Sequence, residues 1–164
     1  MLLIALGAVA VPPAHADGEQ FMNLVTYYNW DREDNYSAVT AADHARETGY
    51  QWIRTKEAWV LARPTDTSTQ KPLVLYYNSE RGDYMSTATT EGIASAESAG
   101  YVRKGVQAYI YRNHEPGTVP LYQYWSWDRQ DNFAAASPEG IASAESAEYV
   151  RVRVEGYVRP GSDL

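Results

Sequence analysis

The chain has 164 residues, no cysteine and a net charge of -7. That length is enough for one domain with a core of its own. The missing cysteines exclude disulfide staples, thiol catalysis and thiolate metal sites, and the acidic balance argues against nucleic acid and anionic membrane surfaces as partners.

The first sixteen residues read as an export signal. Leu2–Val11 is an apolar run too short to cross a bilayer, and Pro12-Pro13 leads into Ala14-His15-Ala16, an A-x-A cleavage pattern. No Lys or Arg precedes the run, the one departure from a signal peptide. The expectation is a secreted mature chain over residues 17–164, folded as a single domain, with no later segment long and apolar enough to span a membrane.

Residues 23–64, 71–113 and 119–160 read as three copies of one unit. The string EGIASAESA at Glu91–Ala99 returns unchanged at Glu139–Ala147, and a repeat period in the forties marks a repeat architecture. Each unit opens on a strand rich in Tyr, Val and Leu: Leu24–Tyr28, Leu73–Tyr77 and Leu121–Trp125. A polar turn follows, then a short returning strand through Asn35-Tyr36-Ser37, Tyr84-Met85-Ser86 or Asn132-Phe133-Ala134, which completes a hairpin.

A short helix comes next. Thr40, Thr89 and Ser137 stand as N-caps, Pro138 at the first helical position, and Glu91 and Glu139 in the first turn. Ile93, Ala96 and Ala99 form one stripe, as do Ile141, Ala144 and Ala147. Gly49 and Gly100 supply left-handed helix ends, whereas copy three has Glu148, which predicts a different or strained ending. The units close on Trp52–Leu61, Val102–Tyr111 and Val150–Val158. In the last, Val150, Val152 and Val154 alternate with Arg151, Arg153 and Glu155, the pattern of a half-buried strand.

One such β-β-α-β unit cannot bury its own apolar face. The predicted fold is therefore mainly β with short helices, an α+β class in which three repeats pack around a common axis as a closed, pseudo-threefold, β-trefoil-like domain. An open solenoid would leave strand edges unpaired.

The Tyr-rich strand, the R-x-D turn, the small-residue helix, the G-Y pair and the closing aromatic strand together resemble a secreted bacterial and fungal repeat domain of unknown function, usually found as three tandem copies. The resemblance spans the mature chain. It implies a threefold β-rich binding module, carbohydrate-directed, and no established activity. The matching residues are Arg32 and Asp34, Arg81 and Asp83, and Arg129 and Asp131. The family places Gly between Arg and Asp; only Gly82 keeps it, with Glu33 and Gln130 in the other copies.

The candidate ligand-binding residues lie at the hairpin tips: Trp30, Arg32, Asp34 and Asn35 in copy one, Arg81 and Asp83 in copy two, and Trp127, Arg129, Asp131 and Asn132 in copy three. An exposed Trp stacks on a sugar ring, Asp and Asn meet its hydroxyls, and Arg adds a fork of donors. Copy two has Ser79 and Tyr84 where the others have Trp and Asn, so copies one and three are expected to bind and copy two to be degenerate. The competing structural use is an Arg–Asp pair across the turn, with Asp accepting from backbone N–H groups.

Asp31 and Asp34, or Asp128, Asp131 and Asn132, offer oxygen ligands for calcium, but no twelve-residue loop with a closing Glu follows, so neither metal nor cofactor is expected. No catalytic motif is present, and His44 and His114 stand apart from any such pattern, so no enzyme is expected. Fourteen Tyr and five Trp against two Phe suit a binding surface. The predicted partner is an extracellular glycan, or else a secreted protein for which the monomeric module is an adaptor.

Overall fold

The computed structural model describes residues 18–39 and 49–161; the expected signal segment and the first expected helix lie outside them. The chain is mainly β, and its described strands form one antiparallel nine-stranded sheet. Unit one contains β1 (Phe21–Asn29), β2 (Asp34–Ala38) and β3 (Gln51–Leu61). Unit two contains β4 (Gln70–Asn78), β5 (Asp83–Thr87), α1 (Thr90–Ser98) and β6 (Val102–Tyr111). Unit three contains β7 (Val119–Ser126), β8 (Asp131–Ala135), α2 (Pro138–Ser146) and β9 (Val150–Pro160).

The hairpins β1–β2, β4–β5 and β7–β8 share one turn. Asn29 Oδ1 accepts from the Asp31 and Arg32 N–H groups at 3.0 and 3.1 Å, and Asn78 Oδ1 from Glu80 and Arg81 at 3.0 Å each. Ser126 Oγ does the same for Arg129 at 3.3 Å. The turn then needs a left-handed residue. Glu33, Gly82 and Gln130 supply it with φ of 55°, 71° and 54°, so the missing glycines do not change the geometry. Gly49, Gly100 and Glu148 are likewise left-handed, at 83°, 81° and 63°, and Glu148 ends α2 in the same conformation at a side chain's expense.

Both described helices start as the caps predict. Thr89 Oγ1 accepts from Gly92 N–H at 3.0 Å, and Ser137 Oγ from Gly140 N–H at 2.9 Å. The glycines in EGIASAESA have a separate cause. A Cβ on Gly92 would lie 1.9 Å from Thr87 Oγ1, and one on Gly140 would lie 2.3 Å from Glu57 Oε1.

Each long strand pairs antiparallel with the first strand of its own unit, β3 with β1, β6 with β4 and β9 with β7. Near their ends the long strands also meet one another, through Leu61 with Tyr109, Tyr111 with Tyr157 and Trp59 with Arg159. A core gathers there from equivalent positions of the units: Leu24, Leu73 and Leu121; Val60, Ile110 and Val158. Each fully buried Leu contributes about 2 kcal/mol of transfer free energy. Smaller clusters lie elsewhere, such as Tyr124, Phe133, Ala144 and Tyr149 under α2.

Buried carboxylates lock the units together. Glu57 Oε1 accepts from Ala136 N–H, Ser137 N–H and Ser137 Oγ at 2.8, 2.8 and 2.9 Å, so a strand of unit one satisfies the free donors at the start of α2. Glu155 Oε2 does the same for α1, accepting from Ala88 N–H, Thr89 N–H and Thr87 Oγ1 at 2.7, 3.1 and 2.9 Å. This reverses the reading of β9. Glu155 is fully buried, while Val150, Val152 and Val154 are 54, 47 and 40% exposed. The β7–β9 ladder carries register shifts between Leu121 and Tyr122 and between Gln123 and Tyr124, and a shift of one residue exchanges the two faces.

Candidate functional site

The left-handed turn residue turns the following aspartate inward. Asp34, Asp83 and Asp131 are buried, and one carboxylate oxygen of each lies within 4.8 Å of the others. Tyr50, Tyr101 and Tyr149 each donate a short hydrogen bond to the aspartate of their own unit. The asparagines come from the neighbouring unit. Asn35 donates to Asp131 from N–H and Nδ2 at 3.0 and 2.9 Å, and Asn132 to Asp83 from Nδ2 at 2.8 Å. At the third such position Tyr84 replaces Asn, and Tyr50 Oη reaches the Gly82 carbonyl at 3.2 Å.

Burial, reinforced by the neighbouring carboxylates, raises all three acids. Asp83 and Asp131 are held well above the usual carboxyl range and Asp34 is pushed up to about 8. Burial likewise raises Tyr50, Tyr101 and Tyr149, so these phenols stay protonated donors. Oxygens at this spacing fall within the span of one calcium-sized ion; protons retained on the carboxyls relieve the same repulsion. Asp131 Oδ1 receives no hydrogen bond. Among the described residues no ion pair joins Arg to Asp across any of the three turns.

The other tip residues face outward and meet residues of the adjacent unit in two matching clefts. The first, of about 310 Å³, lies between units two and three and is lined by Arg81, Ser95, Ala99, Tyr101, Trp125 and Trp127, with Asn132 at its floor. The second, of about 210 Å³, lies between units three and one and is lined by Arg129, Ser143, Ala147, Tyr149, Tyr28 and Trp30, with Asn35 in the place of Asn132. The named residues correspond position for position; Arg153 lines the first cleft only. Trp30 and Trp127 are 66 and 76% exposed. Each is braced edge-on by the aromatic two residues before it, Tyr28 at 4.7 Å and Trp125 at 5.8 Å between ring centroids.

The tips therefore do not act singly. Trp30 shares a cleft with Arg129 rather than Arg32, and Trp127 shares one with Arg81, while its other side lines a polar pocket of about 350 Å³ with Arg129, Asp128 and Glu148. Arg32 lies over Gly82, where a Cβ would come within 3.1 Å of its Nη1. At the junction of units one and two Ser79 stands in place of Trp, and the buried Tyr84 stacks on Tyr36 at 4.1 Å and on Tyr77 at 4.4 Å. The residues missed by sequence reasoning are Tyr28, Trp125, Tyr101, Tyr149 and the Ser and Ala of the two helices. The identical nonapeptide was the available signal, since it supplies the same wall to both clefts.

A mainly β chain with two aromatic clefts beside its hairpin turns is the class this geometry defines. The chain belongs to the family described as a domain of unknown function (DUF5648), whose model matches residues 23–159. No curated protein and no solved structure matches it.

Proposed function

We propose that the chain is an exported, non-catalytic module that binds extracellular carbohydrate through the two clefts, on a closed, pseudo-threefold, β-trefoil-like domain. The matched pair of clefts, each offering an exposed indole beside an arginine, is the observation that carries the reading. Indole faces suit the apolar face of a sugar ring, and shallow open clefts suit one or two rings of a polymer. Two sites on one rigid body give avidity towards a polysaccharide. The three mutual pairings among β3, β6 and β9 support closure about an axis. Among the described residues no Asp or Glu lines either cleft, which favours binding over glycoside hydrolysis there.

The test is a glycan array and cell-wall polysaccharide pull-down of residues 17–164, beside a Trp30→Ala/Trp127→Ala variant. Binding by the unaltered chain that disappears in the variant, with unchanged circular dichroism, is the expected result. Failure to bind any saccharide would overturn it. A protein adaptor is the second reading, favoured by the exposed Ile53 and Val152 beside the clefts; co-purification of a stoichiometric partner from culture supernatant would then support it.

A further inference from the structure

We propose that both clefts select an anionic saccharide, with Arg81 and Arg129 each receiving a carboxylate or sulfate of the sugar. This rests on the reading that the clefts bind sugar, and adds which sugars.

The Asp residues that would meet a neutral sugar's hydroxyls are buried and turned to the centre. Asn132 is committed on both atoms: Nδ2 donates to Asp83 at 2.8 Å and to Tyr101 Oη at 3.0 Å, and Oδ1 accepts from Gln123 Nε2 at 2.9 Å. Asn35 Nδ2 is spent in the same way on Asp131 and Tyr149, at 2.9 Å each. Among the described residues no carboxylate lines either cleft. What remains towards the ligand is aromatic faces, the exposed hydroxyls of Ser95 and Ser143, and a guanidinium.

Among the described residues neither guanidinium is held in an ion pair, although Glu33 acts on Arg129 from a distance and Asp128 and Glu148 line the pocket on its other side. Arg81 lies over the rings of Tyr101 at 5.6 Å and Trp125 at 5.4 Å. Its guanidinium donates to Tyr101 Oη at 3.4 Å. Arg129 lies over Tyr149 at 5.6 Å and reaches Tyr28 Oη at 3.5 Å. Neither has a carboxylate within 4.0 Å among the described residues, whereas Arg151 and Arg153 are held by glutamates at 2.8 and 2.7 Å. Stacking on a ring fixes the plane of the guanidinium and leaves its fork of N–H donors open. A neutral sugar presents hydroxyl protons, for which the described lining offers hydroxyl and amide oxygens but no carboxylate. A carboxylate or sulfate presents only acceptors and takes a bidentate, charge-assisted pair.

The experiment measures affinities of residues 17–164 for oligogalacturonate, a sulfated galactan oligomer and a neutral galactan oligomer, at low and high salt, by calorimetry. At least one acidic oligomer is expected to bind about tenfold or more tightly than the neutral one, the effect of one good charge-assisted contact. High salt should erode the preference. In Arg81→Gln/Arg129→Gln the acidic-to-neutral ratio should fall towards one. The carboxylate and sulfate arms tell which anion is meant. Neutral and acidic oligomers bound equally by the unaltered chain, or a ratio untouched by the arginine variant, would overturn this inference and leave the sugar reading standing. No binding to any of the three, together with an empty glycan array, overturns both.

Discussion

Three buried carboxyls predict that this protein loses stability as the pH rises through neutrality. Asp34, Asp83 and Asp131 are at most 4% exposed, with one oxygen of each within 4.8 Å of the others. Two full charges at that separation repel by roughly 3 kcal/mol at an effective dielectric of about 20. The folded chain therefore holds protons on these groups. Asp34 is raised by burial from 3.8 to about 8. Between those two values the folded chain keeps a proton that the unfolded chain has released. The stability linked to it is fully present below about pH 4 and is lost as the pH rises to about 8. One retained proton corresponds to a slope of roughly 1 kcal/mol per pH unit.

The assay is urea unfolding followed by tryptophan fluorescence, in chelator, at steps between about pH 5 and about pH 8. The unfolding free energy should fall across the series. Asp34→Asn should flatten the slope, since the amide cannot titrate. A flat or rising profile in the unaltered chain would refute the argument. So would stability that rises with pH only when calcium is present, since a cation rather than protons would then balance the carboxylates.

The left-handed residues give a second test: Glu33→Gly, Gln130→Gly and Glu148→Gly should each stabilise by about 0.5–1 kcal/mol. Combined, they should raise the melting temperature by about 5 °C, and Gly82→Ala should act in the opposite sense by thermal denaturation. Truncating the buried glutamates should be severe, because Glu57→Ala leaves the Ala136 and Ser137 donors unpaired and Glu155→Ala those of Ala88 and Thr89. A loss of about 3 kcal/mol or more in urea unfolding is expected from either. Glu57→Gln should be milder, since Gln107 stands at the matching position of unit two.

What could be read from the chain was what is decided locally. The hairpins, the caps at Thr89 and Ser137 and the left-handed Gly100 each depend on residues a few positions apart, and they stand where their sequences put them. What could not be read was decided between units. Glu155 alternates with valines and reads as solvent-facing, yet it is buried because the start of α1, from another unit, needs an acceptor there. Arg32, Asp34 and Trp30 sit within five positions of one another and read as one site. A left-handed Glu33 sends Asp34 inward, and the packing of unit three places Arg129 rather than Arg32 against Trp30. Periodicity carries no term for either effect.

Folding accounts for part of the repeated EGIASAESA: the first-turn Glu, the glycine where a Cβ would collide, and the small residues on the packed face. The clefts ask for more, since Ser95, Ala96 and Ala99 wall one and Ser143, Ala144 and Ala147 wall the other at matching positions. The remaining copy, TAADHARETG from Thr40 to Gly49, departs from that string. It belongs to the unit whose junction with the next carries Ser79 and Tyr84 instead of Trp and Asn, with Tyr84 buried against Tyr36. Where the string EGIASAESA stands, the junction that follows carries Trp and Asn, and where the sequence departs from it the junction carries Ser79 and Tyr84. That pairing of string with junction supports the proposed carbohydrate surface at the two clefts.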